Sequence, residues 1–152
     1  MKCWQLAIVC LVVPGALSAA APPPAHIGQI KAQLFYEATG RLSKDLLAQP
    51  DLSLWNVIIT GSVEEMANDL LVTVDVTTKG QQNLVTPLRI TATGAKGRVI
   101  ADRRFTGMLS SEAGHVWKAM LLRDIGCEGR VTITVSLGKE RKTRQLDFHC
   151  GE

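Results

Sequence analysis

Strict two-residue alternation of apolar and polar side chains is the feature that most restricts the fold of this chain. It is clearest in three segments: "LLVTVDVTT" (70–78), "VTITVSL" (131–137) and "RQLDFHC" (144–150). Successive side chains of a β-strand point to opposite faces of a sheet, so each segment predicts a strand with one buried face. An amphipathic helix would repeat its apolar positions every three or four residues, and these segments do not.

Further segments read as short strands separated by glycine- or proline-containing turns. Residues 88–105 predict a hairpin, with Val99, Ala101 and Phe105 facing inward on its second arm and a glycine-rich turn at residues 94–97. Residues 54–60 are apolar on both faces, which predicts a central strand.

Two segments are less clear. Ser43 is a candidate cap for one short helical turn that Pro50 would end. Residues 110–123 fit the helical and the strand period almost equally, and we prefer a strand because the neighbouring segments are strands.

The pattern as a whole predicts an all-β protein. About 7–8 short strands with turns every dozen residues or so are typical of an antiparallel β-sandwich, for which immunoglobulin-like topology is the commonest arrangement at this size. A small β-barrel is the alternative. Residues 29–152 are expected to form this single sandwich domain.

The beginning of the chain has the order of a secretory signal peptide. Lys2 precedes an apolar run that is too short to span a membrane, and small residues follow it, so we expect residues 1–20 to be removed. Residues 21–28 are proline-rich and predict a flexible lead-in. The expected location is therefore periplasmic or secreted, in a bacterial source, with no transmembrane segment after cleavage.

The cysteine content agrees with export. Two of the four cysteines lie within residues 1–20, which leaves Cys127 and Cys150. Two cysteines in an oxidising compartment predict one disulfide. A metal site or a reactive pair with His149 is disfavoured because His149 and Cys150, as neighbours on a strand, point to opposite faces. A turn centred near Glu140 would place Cys150 close to Arg130 and require a bend to reach Cys127.

No catalytic constellation, metal site or cofactor motif is evident, so we expect no catalytic residue, no metal and no cofactor. His26 falls in the predicted lead-in, and His115 and His149 have no identifiable partner. The alternative is a small enzyme or enzyme inhibitor that uses His115 with an acidic loop, whose carboxylates are Glu64, Glu65 and Asp69.

Charge gives a weak indication of the partner. The chain has 17 basic and 14 acidic residues, and removal of Lys2 would leave a formal net charge near +2, which does not favour nucleic acid. The turn of the last hairpin is basic and could bind an anionic surface through Lys139, Arg141, Lys142 and Arg144. The favoured interpretation of the sequence is a non-enzymatic binding or assembly module for a protein or cell-surface partner.

Overall fold

The computed structural model describes residues 24–49 and 52–151, and within them it contains eleven strands and three short 3-10 helices. The strands are β1 (His26–Tyr36), β2 (Arg41–Leu42), β3 (Leu54–Trp55), β4 (Asp69–Thr77), β5 (Asn83–Leu84), β6 (Leu88–Thr93), β7 (Val99–Phe105), β8 (Met108–Leu109), β9 (His115–Leu122), β10 (Gly129–Leu137) and β11 (Glu140–His149). The 3-10 helices span Leu46–Ala48, Val57–Ile59 and Ala95–Gly97. The predicted signal peptide and residues 21–23 of the predicted lead-in lie outside the described residues.

The strands form two main sheets. One has the order β2-β1-β4-β9 and the other β3-β11-β10-β6-β7, and β5 and β8 pair separately. All pairs are antiparallel except β3 with β11. In immunoglobulin-domain terms, β1, β4 and β9 take the A, B and E positions, and β6, β7, β10 and β11 take C, C′, F and G. The predicted immunoglobulin-like sandwich is confirmed.

The alternating segments supply the core between the sheets. Val72, Val74 and Val76 on β4 have no exposed surface, and neither have the inward-facing Val131, Ile133 and Val135 on β10. These β-branched side chains come from strands in opposite sheets, and their burial is the dominant stabilising term of such a domain.

The segment at residues 54–60 does not form the central strand that its apolar pattern predicted. Only β3 is extended, at the edge of the five-stranded sheet, and a 3-10 helix follows it. Asn56 and Thr60 have positive φ angles of 47° and 65°, which turn the chain out of the sheet direction. A β-carbon at Gly61 would lie 2.2 Å from the Trp55 carbonyl oxygen, so the tight return also requires glycine.

Of three further local predictions, one is confirmed and two are wrong. Residues 115–122 form β9, as the preferred strand interpretation predicted. The short turn at Leu46–Ala48 is capped by Asp45, which accepts a hydrogen bond from the Leu47 amide, and not by Ser43. Val99 is 58% exposed although it was expected to face inward, because a register shift separates it from the regular pairing of β6 with edge strand β7.

The first strand begins earlier than the predicted domain start at residue 29. His26 pairs with Thr77, so residues 26–28 of the predicted lead-in belong to β1. The pairing shifts register between Ile27 and Ile30, where β1 has one residue more than β4. This β-bulge allows both Ile27 and Ile30 to face the core.

The last hairpin explains how the two cysteines meet. Leu137 pairs with Glu140, so the turn is Gly138-Lys139 and lies nearer the N-terminal arm than the predicted centre at Glu140. Gly138 has a φ of 59°, as a two-residue hairpin turn favours. Continuing this register beyond Gly129–Phe148 places Cys150 directly opposite Cys127. The predicted disulfide is present, with 5.2 Å between the two Cα atoms.

Candidate binding site

The strand pattern places His115 beside a carboxylate that the sequence analysis did not select. His115 Nδ1 lies 2.8 Å from Asp75 Oδ2. Asp75 is 5% exposed, and its Oδ1 atom has no hydrogen-bond partner among the described residues. The backbone amide of His115 donates to Ser111 Oγ at 3.2 Å, so this hydroxyl is used in holding the turn before β9. The only signal in the sequence was the aspartate at an outward position of a valine-rich strand.

The acidic loop does not join this pair. Asp69 begins β4, whereas His115 pairs with Thr77 at the other end of the same strand. Eight residues of extended chain separate the two ends by about 26 Å. The alternative site that combined His115 with Glu64, Glu65 and Asp69 is therefore wrong, because these groups lie at opposite ends of the sandwich.

The carboxylates of the acidic loop have separate partners. Glu65 forms an ion pair with Arg41 and accepts a hydrogen bond from the Thr39 hydroxyl at 2.8 Å. Asp69 accepts from the Asp124 amide at 3.2 Å. Across residues 24–49 and 52–151, no three His, Cys, Asp or Glu side chains are grouped so that they could hold a metal ion.

The ion pair of Arg41 with Glu65 predicts a measurable titration shift. The hydrogen bond from Arg41, followed by that from Thr39, holds the pKa of Glu65 below its ordinary value of 4.5. We expect Arg41→Gln to raise the pKa of Glu65 toward 4.5, as measured by carbon-detected NMR titration of the side-chain carboxyl. An exposed arginine elsewhere provides the control variant, Arg123→Gln, which should leave the pKa of Glu65 unchanged.

The lowered pKa of Glu65 also makes the stability of the folded protein depend on pH. Because the folded-state pKa is lowered, the contribution of the pair to stability is present above pH 4.5 and is lost as the pH falls through the lower folded-state pKa. The wild-type protein and Arg41→Gln should therefore converge in stability at the acid end. A pKa of Glu65 that is identical in the two proteins would contradict the assignment of this pair.

The basic residues of the last hairpin are divided between two faces of β11. Lys142 lies on the inner side, where it donates to the Ile27 carbonyl oxygen and approaches Glu140 Oε1 to 3.6 Å. Arg144 is also on this side, whereas Arg141 points outward and Lys139 lies in the turn. Since alternate residues of a strand face opposite ways, the four side chains do not form one surface.

Several apolar side chains are exposed on the outer face of the four-stranded sheet. Trp117 and Leu121 on β9 and Leu42 on β2 are 46%, 40% and 41% exposed. Leu71 lies opposite Leu121 and Phe35 lies opposite Leu42, but Gln33 and Asp69 occupy the next positions of these two rows, so polar side chains separate the apolar pairs. The Lys31 ammonium lies 5.2 Å from the centre of the Trp117 ring, which places a cation at its margin.

The edge of β11 is incompletely covered. Among the described residues, β3 pairs with β11 only at Phe148 and His149, although β11 extends back to Glu140. His149 uses its carbonyl oxygen toward the Asn56 amide, on the side away from β10. Because backbone groups alternate in direction along an antiparallel strand, those of Thr143, Gln145 and Asp147 point the same way.

A groove lies directly beside this edge, and we call it the β11 groove. It has a volume of about 310 Å³ and runs between residues 144–149 of β11 and residues 46–49 and 52–54. Its apolar lining is leucine-rich, and its polar lining comes mainly from β11; the residues concerned are Leu46, Leu47, Leu52, Leu54 and Leu146, with Gln49, Ser53, Arg144, Gln145, Asp147 and His149. Backbone donors and acceptors therefore border a groove lined by both leucine and polar side chains.

Of the two charged side chains at the groove, Asp147 is in an ion pair and Arg144 is not, among the described residues. Asp147 is paired with Arg130, whose Nε atom lies 2.8 Å from Asp147 Oδ1. Arg144 donates to the Thr143 carbonyl oxygen at 2.9 Å, and within the described ranges no carboxylate lies within 4.0 Å of its guanidinium. The groove thus presents one cation that a ligand carboxylate could approach.

Comparisons with known proteins found solved structures of distant similarity. No protein-family model matches the chain, and no curated protein matches it in sequence. An immunoglobulin-like protein from Pseudomonas aeruginosa aligns over 85% of this chain and 99% of its own, with 13% identity and a TM-score of 0.44. The C-terminal domain of wzt aligns over 84% of this chain and 74% of its own, with 11% identity and a TM-score of 0.43.

A third solved structure is the ligand-binding region of serine-glutamate repeat protein A of Enterococcus faecium. It aligns over 54% of this chain and 83% of its own, with 10% identity and a TM-score of 0.31. Likeness at this level transfers no ligand or partner to this chain. In the part of the chain that the structure describes, no helix has the length and apolar character needed to cross a membrane.

Proposed function

We propose that this chain is an exported, non-enzymatic binding module that captures an extended peptide segment of a protein partner by strand addition at β11. The observation that carries the proposal is that, among the described residues, no strand pairs with β11 at Thr143–Asp147, directly beside the β11 groove; the Thr143 carbonyl oxygen accepts a hydrogen bond from the Arg144 side chain, which a peptide would displace. An extended peptide placed there would satisfy outward backbone groups and lay alternate side chains over the leucines.

The dimensions and lining of the β11 groove indicate the length and the side chains of the peptide that it would bind. Five residues of β11 are about 17 Å long, which accommodates a peptide strand of similar length. Apolar side chains at alternate positions would cover Leu47 and Leu52, which are only partly buried. An acidic side chain near Arg144 would add a charge-assisted hydrogen bond.

Export is supported by two features of the chain. The disulfide between Cys127 and Cys150 is of the kind that persists in oxidising compartments. Residues 1–20 have the order of a signal peptide. A periplasmic or secreted protein with an edge strand of this kind would meet its partner outside the cytoplasm.

The test uses a displayed library of random twelve-residue peptides that is panned on the wild-type protein alone, and the affinities of the selected peptides for the wild-type protein and for Gln145→Pro are then compared. Proline at this position removes one outward N–H while leaving the bonds between β11 and β10, which involve the alternate residues. We expect the selected peptides to lose affinity for Gln145→Pro by about tenfold or more, since a buried hydrogen bond and the strand fit are lost together.

A matched variant separates the backbone from the side chain. Gln145→Ala removes the glutamine side chain but keeps the N–H, so it should bind the selected peptides nearly as well as the wild-type protein. Peptide addition should also move the amide resonances of Thr143–Asp147 in an NMR titration. Equal affinity for Gln145→Pro, or resonance shifts concentrated at Trp117 and Leu121, would overturn this site and point to the outer face of the four-stranded sheet.

A further inference from the structure

Three arginines and one serine lie in a single row across the outer face of the five-stranded sheet. The register places Arg104 opposite Arg89, Arg89 opposite Ser136, and Ser136 opposite Arg141. Residues directly opposite each other point to the same face, and adjacent strands are about 4.8 Å apart. We call this set the arginine row, and its three guanidinium groups arise from backbone positions within about 14 Å.

The row has more positive charge than its surroundings neutralise. Arg89 is paired with Asp102 of β7, its Nε atom lying 2.9 Å from Asp102 Oδ1. Over the part of the chain that the structure describes, no carboxylate approaches Arg104 or Arg141 within 4.0 Å. Like charges directly opposite on a sheet are destabilising, so a bound anion would relieve repulsion between Arg89 and Arg104.

The arginine row borders an open depression of about 540 Å³. Its lining consists of Pro87, Arg89, Asp102, Arg104, Ser136 and Gly138. The neighbouring row of the sheet places Asp102 opposite Thr91, Thr91 opposite Thr134, and Thr134 opposite Thr143. Three hydroxyl groups therefore lie beside the guanidinium groups, on the same face.

We propose that the arginine row binds the sulfate or carboxylate groups of an anionic polysaccharide. Guanidinium groups bind these oxyanions in a bidentate manner, and the adjacent threonine hydroxyls can exchange hydrogen bonds with sugar hydroxyls. Neither row contains an aromatic side chain for base stacking or an apolar side chain for insertion into a lipid surface, which disfavours single-stranded nucleic acid and membranes. The site is separate from the β11 groove and does not depend on the proposed function.

The test measures binding of the full chain to dextran sulfate, polygalacturonate and neutral dextran by isothermal titration calorimetry. We expect binding to one or both charged polymers, which distinguishes sulfate from carboxylate recognition, and affinity should fall as salt is added. Arg104→Gln with Arg141→Gln should weaken this binding about tenfold or more, because hydrogen bonds to charged groups are lost. Both side chains are exposed, so the fold should be retained.

The matched control is Lys79→Gln with Arg123→Gln, which removes the same charge from exposed positions away from the row. It should reduce affinity by no more than about twofold at moderate salt. Equal losses in the two double variants would show a general effect of net charge and overturn the site. Equal binding of neutral dextran, or tighter binding of an oligodeoxynucleotide or of anionic phospholipid vesicles, would overturn the proposed ligand.

A gain of affinity provides a second check that damage to the fold cannot imitate. Asp102→Asn removes the carboxylate that occupies Arg89 and leaves a side chain of the same size. Affinity for the charged polymer should then rise about fivefold, which corresponds to one exposed ion pair no longer competing. Unchanged or weaker binding in Asp102→Asn would contradict the participation of Arg89.

Discussion

Replacement of Phe148 by alanine is expected to lower the free energy of unfolding by about 4 kcal/mol. Phe148 is 1% exposed and is among the largest fully buried side chains. It lies opposite Gly129 on β10 and beside Leu54 on β3, so the truncation leaves a cavity where three strands meet. Chemical denaturation followed by tryptophan fluorescence or circular dichroism measures this change.

Phe35→Ala is the matched control because it removes the same ring from a different environment. Phe35 lies on the outer face of β1, opposite Leu42, and is only partly buried. Its truncation should cost about 1–2 kcal/mol, since less apolar surface returns to water. Equal costs for the two variants would contradict the assignment of Phe148 to the core and of Phe35 to the outer face.

Removal of the disulfide by Cys127→Ser with Cys150→Ser should lower the free energy of unfolding by about 3 kcal/mol. The bond joins residues 23 positions apart, so it reduces the conformational freedom of the unfolded chain at the open end of the β10–β11 hairpin. The melting temperature should fall by about 10 °C. Differential scanning calorimetry measures both the shift and the enthalpy.

Reductant separates the effect of the bond from that of the serine substitutions. The wild-type protein in dithiothreitol should lose stability similar to that lost in the double variant, and the double variant should not respond to dithiothreitol. Two free thiols in the oxidised wild-type protein, detected by thiol titration under denaturing conditions, would contradict the bond itself.

These two predictions concern the strand that forms the proposed peptide site. β11 is held by β10 along its length, by β3 at Phe148 and His149, and by the disulfide just beyond its end. These attachments fix the register of β11, and no described residue pairs with its backbone at Thr143–Asp147 on the side away from β10. Because a peptide gains affinity from a preorganised edge, truncation of Phe148 or removal of the disulfide should weaken peptide binding as well as stability.

The elements that were predicted well have signals that are local in the sequence. Residues 72–77 and 131–137 alternate strictly, and both form strands whose predicted inward-facing apolar side chains are buried. The segment at residues 54–60 misled the prediction because apolar character on both sides resembles a central strand. Left-handed conformations at Asn56 and Thr60, which a single sequence does not reveal, turn this segment into a 3-10 helix.

The arginine row and the pair of Asp75 with His115 could not be predicted from local signals of this kind. The arginine row combines Arg104, Arg89, Ser136 and Arg141, which four different strands bring together. The predicted basic turn used residues that are close in sequence, and alternation along β11 separates them. The pair of Asp75 with His115 likewise depends on the register of β4 with β9, across a sequence separation of 40.

The sequence by itself determined that this chain forms a disulfide-containing, all-β domain. Alternation sets which side of each strand is apolar, and two cysteines beyond the predicted signal peptide leave one pairing. Only the tertiary structure decided which strands are neighbours, which edge stays open and which charges share a face. These properties depend on register and sheet order, which are set by packing between residues far apart in the chain and have no period in the sequence.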